Sequence, residues 1–190
     1  KRFCQNANFQ NECELEGYVK PDVYVYGREI ELLSILKKSI ENQMADLNKS
    51  WIERNTKLVN FSKKEILIIA SILEKESCAN EREKISGVIY NRLKNNMLLQ
   101  MDSTTIYGLK DFNGNLKKKD LRDSSLYNTY MHKGLPPGPI SNPSRNSIFA
   151  AAQPEEHDYL YFVAKDKCSH EFSINYDDHL KAVKKYQLRQ

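Results

Sequence analysis

Between Ser62 and Ser77 the apolar positions recur at helical rather than strand spacing. Ser62 and Glu65 stand three apart immediately before the run ILIIASILEKES, a capping-box pattern that predicts a helix starting near Lys63. At about 100° per residue, Ile69, Ile72 and Leu73 share one face. Glu76 falls on that face, seven, four and three positions after them. Glu74, two positions earlier, lies roughly 160–200° round the helix beside Leu67, Ala70 and Ser71, and is expected to point elsewhere. A carboxyl held against aliphatic side chains is poorly solvated as an anion, so its pKa rises, by up to ~3–5 units at full burial. At about 1.4 kcal/mol per unit this keeps the group protonated near neutral pH, where it can serve as a general acid. Periodicity alone also allows Glu76 to mark the point where the helix emerges into solvent, and the segments downstream weigh against that.

The same patterning places the other elements. Residues 1–28 look irregular and strand-like, ending in the alternating segment PDVYVYG. Residues from about Glu29 to Arg54 carry Ile30, Leu33, Ile35, Leu36, Ile40, Met44 and Leu47 at helical spacings, and this helix is expected to pack against the one bearing Glu76. A further helix runs from about Asn80 to Asn95, with Ile85, Val88, Ile89 and Leu93 on one face and Arg92 at its border. Beyond Met97 the texture changes to short polar and aromatic pieces with turn signals. Tyr159–Ala164 and His170–Asn175 alternate as two strands joined by the polar turn 165–169. SRNSIFAAAQP reads as a short helix stopped by Pro154, and a final amphipathic helix starts near Asp177. The expected fold is α+β in a single domain spanning 1–190, with residues 1–13 as an irregular extension. Its helical part, carrying Glu76, is expected to pack against a loop-rich β part.

Composition narrows the function classes. A chain of 190 residues suits one domain and can bury roughly 70% of its unfolded surface without a metal or disulfide framework. It contains no apolar run long enough to cross a bilayer and no signal-peptide pattern. Its opening without an initiator Met suggests a fragment or processed product. A net charge of +4, with both signs mixed along the chain, argues against a nucleic-acid surface. Lys117, Lys118 and Lys119 are followed by Asp120 and Asp123 and read as a solvated segment. The cysteines at 4, 13, 78 and 168 lack zinc-site spacing with the histidines, and no cofactor or metal is implied. A Cys4–Cys13 disulfide is open if the protein is exported, and Cys78 reads as a small buried residue.

Two concentrations of polar and aromatic side chains lie downstream of Glu76. Gln100, Asp102, Ser103, Thr104, Thr105 and Tyr107 occur within eight residues, and Tyr127, Asn128, Thr129 and Tyr130 are consecutive. Such groups supply the hydrogen bonds and flat apolar contacts that a sugar ring needs, with hydroxyls at its edge and C–H groups on its face. Gln100, Asp102, Ser103, Tyr107, Asn128 and Tyr130 are therefore candidate substrate contacts. The segment GLPPGPISNPS holds four of the six prolines and two of the seven glycines, a stiff loop suited to form one wall of a cleft.

The runs ASILEKESCANEREKISGVIYNRLKNNMLLQMDSTTIYGL, SSLYNTYMHKGLPPGPISNPS and YLYFVAKDKCSHEFS, in that order, closely resemble the YceG-like family of bacterial endolytic murein transglycosylases. LEGYVKPDVYVY is similar to that family's entry into its catalytic domain. The resemblance implies an enzyme on the outer, periplasmic side of the cytoplasmic membrane that cleaves peptidoglycan glycan strands internally, with penicillin-binding proteins of the wall-synthesis machinery as partners. It implies that the second Glu of the E-K-E motif, Glu76 here, is catalytic, in agreement with the helical-face argument. Ser77 and Cys78 stand where other members often have Thr and Ala. Family members carry a membrane helix and a LysM-like region ahead of this domain, and neither is found in this sequence, so membrane contact would come only through that anchor. The expected reaction is lytic cleavage of the MurNAc-β-1,4-GlcNAc bond to 1,6-anhydro ends. A hydrolase would usually need a second carboxylate, about 5 Å away for retention or more than about 6.5 Å for inversion. Asp102 is the candidate for that alternative, a muramidase, and a non-catalytic peptidoglycan-binding module is the alternative from another class.

Overall fold

The computed structural model describes residues 15–27, 31–77 and 80–187. It is a mixed α+β domain with six α-helices among the described residues: α1 (Leu32–Ile52), α2 (Lys63–Glu76), α3 (Arg82–Lys94), α4 (Asp102–Gly108), α5 (Arg145–Ala152) and α6 (Tyr176–Tyr186). One antiparallel hairpin, β1 (Tyr161–Ala164) with β2 (His170–Ser173), completes it in the register Tyr161↔Ser173 to Ala164↔His170.

The capping box opens α2 as expected. Glu65 N donates to Ser62 Oγ, and Ser62 N donates to Glu65 Oε2 at 2.8 Å. Every residue from Ile66 to Leu73 is buried. The helix is therefore apolar all round, as a central helix must be, rather than amphipathic with one buried stripe. Both Glu74 and Glu76 emerge from its C-terminal turn into partly buried surroundings. Around α2 gather α1, α3, α4 and above all the short α5, whose Ile148, Ala150, Ala151 and Ala152 are buried in the shared core. The alanines let α5 approach three longer helices, and its N-terminus is held by Glu74. Glu74 Oε2 accepts from Ser144 N (2.9 Å), Ser144 Oγ (2.7 Å) and Ser147 Oγ (2.6 Å). Burial pushes the Glu74 carboxyl up, but these bonds and the Arg82 charge outweigh it and hold the group below its ordinary range.

The expected packing of the Glu76 helix on the β part is replaced by a division of labour. The hairpin packs chiefly on α6, and α2 packs on other helices. Phe162 and Phe172 reach back to the edge of the helical core, and the rest of the approach between the two parts is an open cleft. Two further expectations need adjustment. α4 lies in a stretch that reads as loop, because Asp, Ser and Thr are weak helix formers and its seven residues are too few for periodicity to register. PDVYVYG joins no sheet among the described residues, and Val23 and Val25 are almost fully exposed. Residues 1–13, Cys4, Cys13 and Cys78 lie outside the described residues.

Candidate active site

The last turn of α2 delivers Glu76 to the first turn of α4. Glu76 Oε1 accepts from Ser103 Oγ at 2.5 Å and from Ser103 N at 3.3 Å. The backbone donor is one that a helix start leaves without an internal acceptor. Burial is the main influence on the Glu76 carboxyl and raises its pKa. The two Ser103 bonds oppose it, the negative charge of Asp102 adds to it, and the His170 charge opposes it. The net effect raises the pKa above the ordinary carboxylate value, with one oxygen anchored.

The two polar concentrations of the sequence meet beside this carboxyl. Tyr130 Oη donates to Asp102 Oδ1 at 2.6 Å, and Gln100 N donates to Thr129 O at 3.1 Å. Met101 N donates to Thr129 Oγ1, and Thr105 Oγ1 donates to Asn128 Oδ1. Burial first, then the bond to Asp102, drives the Tyr130 phenol well above its usual range, so it stays a donor. Gln100 takes a left-handed backbone (φ 52°), unusual for a residue with a side chain and of the kind found where a loop is forced into place around a site.

Glu76, Gln100, Asp102 and Tyr130 line one cavity of about 440 Å³, whose far wall is Tyr161–Ala164 and His170 of the hairpin and His179 of α6. Not every candidate joins them. Asn128 is fully buried, with its amide donating to Leu121 O and Asp123 O and its carbonyl accepting from Thr105 Oγ1 and Tyr130 N. These bonds all lie within the α4 and 121–130 segments, and Asn128 is not among the residues that line the cavity. Tyr107 is not among the cavity walls, and its ring lies against Tyr127 at 4.8 Å between centroids. The proline-rich loop walls a different groove. Gly134, Leu135, Pro136 and Pro137 line a separate space of about 720 Å³ beside Phe61 and Tyr90. The loop's later residues pin α2, with Ile140 N donating to Ser71 Oγ and Ser141 Oγ to Ser71 O.

Three groups of the cleft escaped the sequence reading. His170 Nδ1 lies 2.7 Å from Glu81 Oε2, and its backbone N donates to Glu81 Oε1. His179 stacks on Tyr161 at 5.2 Å. Arg92 is buried, although it was placed at a helix border. A signal for Arg92 was present, since it follows Ile85, Val88 and Ile89 at seven, four and three positions, the same spacing that singles out Glu76.

The YceG-like family model matches residues 1–185. The chain belongs to the YceG-like family. The endolytic murein transglycosylase of Bacillus subtilis strain 168 is 38% identical over 176 residues, covering 90% of this chain and 48% of that protein. That of Streptococcus pneumoniae R6 is 34% identical over 156 residues, covering 79% and 28%. The 2.6 Å crystal structure of a YceG-like protein from Listeria monocytogenes superposes with a TM-score of 0.77 at 39% identity, covering 88% of this chain and 55% of that one. The chain thus spans about half or less of the length of these curated YceG-like relatives.

Proposed function

We propose that this chain is the catalytic domain of an endolytic murein transglycosylase that cleaves the MurNAc-β-1,4-GlcNAc bond inside peptidoglycan glycan strands, with Glu76 as its acid and base. The observation that carries the proposal is the Glu76 carboxyl itself, pushed towards its neutral form by burial yet lining an open cleft with Ser103 anchoring one oxygen. The similarity to proteins named as endolytic murein transglycosylases supports this substrate class.

In this mechanism a glycan strand lies in the cleft between the end of α2 and the hairpin. Protonated Glu76 gives its proton to the bridging oxygen as the C1–O bond of the muramic acid ring breaks, freeing the 4-hydroxyl of the next sugar. Glu76, now a carboxylate, takes the proton of the same ring's C6 hydroxyl as that oxygen bonds to C1. The products are a 1,6-anhydro-muramic end and a new GlcNAc end, no water is consumed, and the acid is regenerated. One group serves twice, which favours a pKa near the working pH. Asp102, Tyr130 and Gln100 hold the sugars, and Ser103 stabilises the carboxylate between its two proton transfers.

The extracytoplasmic face of the membrane is the compartment this function requires. The disulfide engaged by Cys168 in the hairpin turn supports it, because such bonds persist in oxidising surroundings. No helix among the described residues is long and apolar enough to cross a membrane. A membrane anchor and penicillin-binding proteins as partners are expectations that come with the family.

Digestion of purified, uncrosslinked glycan strands tests the proposal, with the new ends identified by mass spectrometry. Anhydro-muramic ends are expected from the wild type, with a loss of at least about 10³-fold in Glu76→Gln, as for removal of an essential acid. Reducing muramic ends would overturn the lytic reaction in favour of a muramidase using Asp102. Binding of strands without cleavage by the folded wild type would leave a peptidoglycan-binding module.

A further inference from the structure

The cleft that holds Glu76 and Asp102 also holds a buried cation with no anionic partner. Arg92 of α3 is only 6% exposed and lines the cavity. Its guanidinium bonds only to neutral oxygens: Nε donates to Leu160 O at 2.6 Å, and Nη1 to Leu98 O (3.1 Å), Leu99 O (2.8 Å) and Gln100 Oε1 (3.4 Å). No carboxylate among the described residues forms an ion pair with it. Its third nitrogen, Nη2, makes no hydrogen bond with those residues and is not among the buried side-chain atoms sealed from solvent without a partner. The guanidinium carbon lies over the Tyr161 ring, 5.0 Å from its centre. His179, stacked on the other part of the same cleft wall through Tyr161, has a buried Nδ1 that also lacks a partner.

A buried guanidinium without a counter-charge is costly, and three carbonyls compensate the charge only in part. Such a group is retained with a donor pair free where a ligand completes it, and the planar fork of arginine suits a carboxylate. We propose that Arg92 Nη2, assisted by His179, forms a subsite for a carboxylate on the glycan, so that the enzyme reads the acid substituent of muramic acid and not the polysaccharide backbone alone. This rests on the glycan-strand function proposed above. Two sources carry that chemistry in peptidoglycan: the lactyl ether, whose carboxylate is free when the stem peptide has been removed, and the acidic residues of the stem when it is present. The subsite would also place the muramic ring, rather than its neighbour, on the side of the cleft that Glu76 serves.

Binding to the Glu76→Gln protein, in which the proposed acid is removed and strands should stay intact, tests the subsite. Four probes of equal length are compared by calorimetry: strands freed of stems, the same strands with lactyl carboxylates converted to amides, stem-bearing strands, and chitooligosaccharides. At least tenfold tighter binding of the stem-free strands than of their amides and the chitooligosaccharides assigns the lactyl carboxylate. Tight binding confined to stem-bearing strands assigns the stem. In both cases the preference should shrink to threefold or less when Arg92→Lys is added. Because Arg92 also holds loop carbonyls, the same titrations are followed by the Arg92 Nε–H resonance in isotopically labelled Glu76→Gln protein. That resonance should move with the preferred probe and stay still with chitooligosaccharide. Equal affinity for all four probes, or a carboxylate preference that leaves this resonance unmoved, overturns the subsite. Anhydro ends from the wild type alongside equal affinities would reject the subsite and leave the transglycosylase standing.

Discussion

Ser103 is the residue that most directly sets how Glu76 behaves. Burial raises the Glu76 pKa, and the two Ser103 bonds pull it down because they favour the charged form. Replacing Ser103 by Ala removes the hydroxyl donor and keeps the backbone one, so the Glu76 pKa should rise further. In the proposed mechanism the reaction begins with protonated Glu76, so activity should fall as pH climbs through that pKa. The alkaline limb of the kcat/KM–pH profile should therefore move to higher pH in Ser103→Ala. Activity at the optimum should drop by about tenfold, the equivalent of one charge-assisted hydrogen bond of about 1.5 kcal/mol. A limb that stays in place or moves to lower pH would mean that Ser103 does not act on the carboxylate. Glu76 stands out in the sequence because it continues the Ile69, Ile72 and Leu73 positions, although α2 is buried on every side and Glu74 is partly buried as well. The anchor of Glu76 does not, since the Ser103 contact joins the ends of two helices 27 residues apart in the chain. Arg92 obeys the same spacing rule as Glu76. It was passed over because a long cationic side chain at a helix edge ordinarily runs out to solvent, and here the carbonyls of Leu98, Leu99 and Leu160 capture it instead.

At the scale of elements, α2 and α5 are held by a charged clamp that also caps α5. Glu74→Gln replaces a carboxylate with three donors by a neutral amide, and should lower unfolding free energy by about 1.5–3 kcal/mol in urea titrations. The sign with pH follows from the lowered Glu74 pKa. The difference between wild type and variant should be fully present above the ordinary carboxylate range, and should vanish as pH falls through the depressed folded-state value. A second contact between elements is steric. A Cβ on Gly87 would lie 2.4 Å from Glu155 O and 2.6 Å from His157 Nε2, so α3 can approach the 155–157 segment only with glycine there. Gly87→Ala should cost about 1–3 kcal/mol by the same titration, because a backbone carbonyl has to move. These elements were visible in the chain wherever local patterning defines them: the capping box of α2, the apolar period of α3, the alternation of the hairpin, and the proline that stops α5. Their partners were not, because residue type does not say that an eight-residue alanine-rich helix will be the hub of the core. The stiff GLPPGPIS loop does wall a groove, but proline content reports rigidity and not which groove it will line.

For the whole molecule, the division between a helical core and a hairpin–α6 unit sets where motion is expected. Leu67, Ile69, Ile72 and Leu73 of α2 are fully enclosed, and the main buried cluster draws on α1, α2, α3 and α5. α6 packs chiefly on β1 and β2, and its buried residue, Ala182, stands outside that cluster. Besides the Cys168 disulfide, the hairpin meets the helical part through Phe162 and Phe172, the His170–Glu81 pair, Lys84 over Phe172, and Arg92 against Leu160 and Tyr161, an attachment smaller than the core itself. Units joined by few apolar contacts open below the global unfolding free energy. Native-state hydrogen exchange should therefore show α2 amides exchanging only through global unfolding, while amides of β1, β2 and α6 exchange together and faster. The cleft lies between these two units, so a bound strand spanning it would tie the hairpin to the helices. Adding stem-free glycan strands to Glu76→Gln should accordingly slow exchange in β1, β2 and α6 by at least tenfold and leave α2 unchanged. If the hairpin and α6 exchange at the α2 rate without ligand, the domain opens as one body and the cleft is rigid. If they are mobile but unaffected by strands, the glycan does not bridge the two sides, and the far wall of the cleft takes no part in holding it.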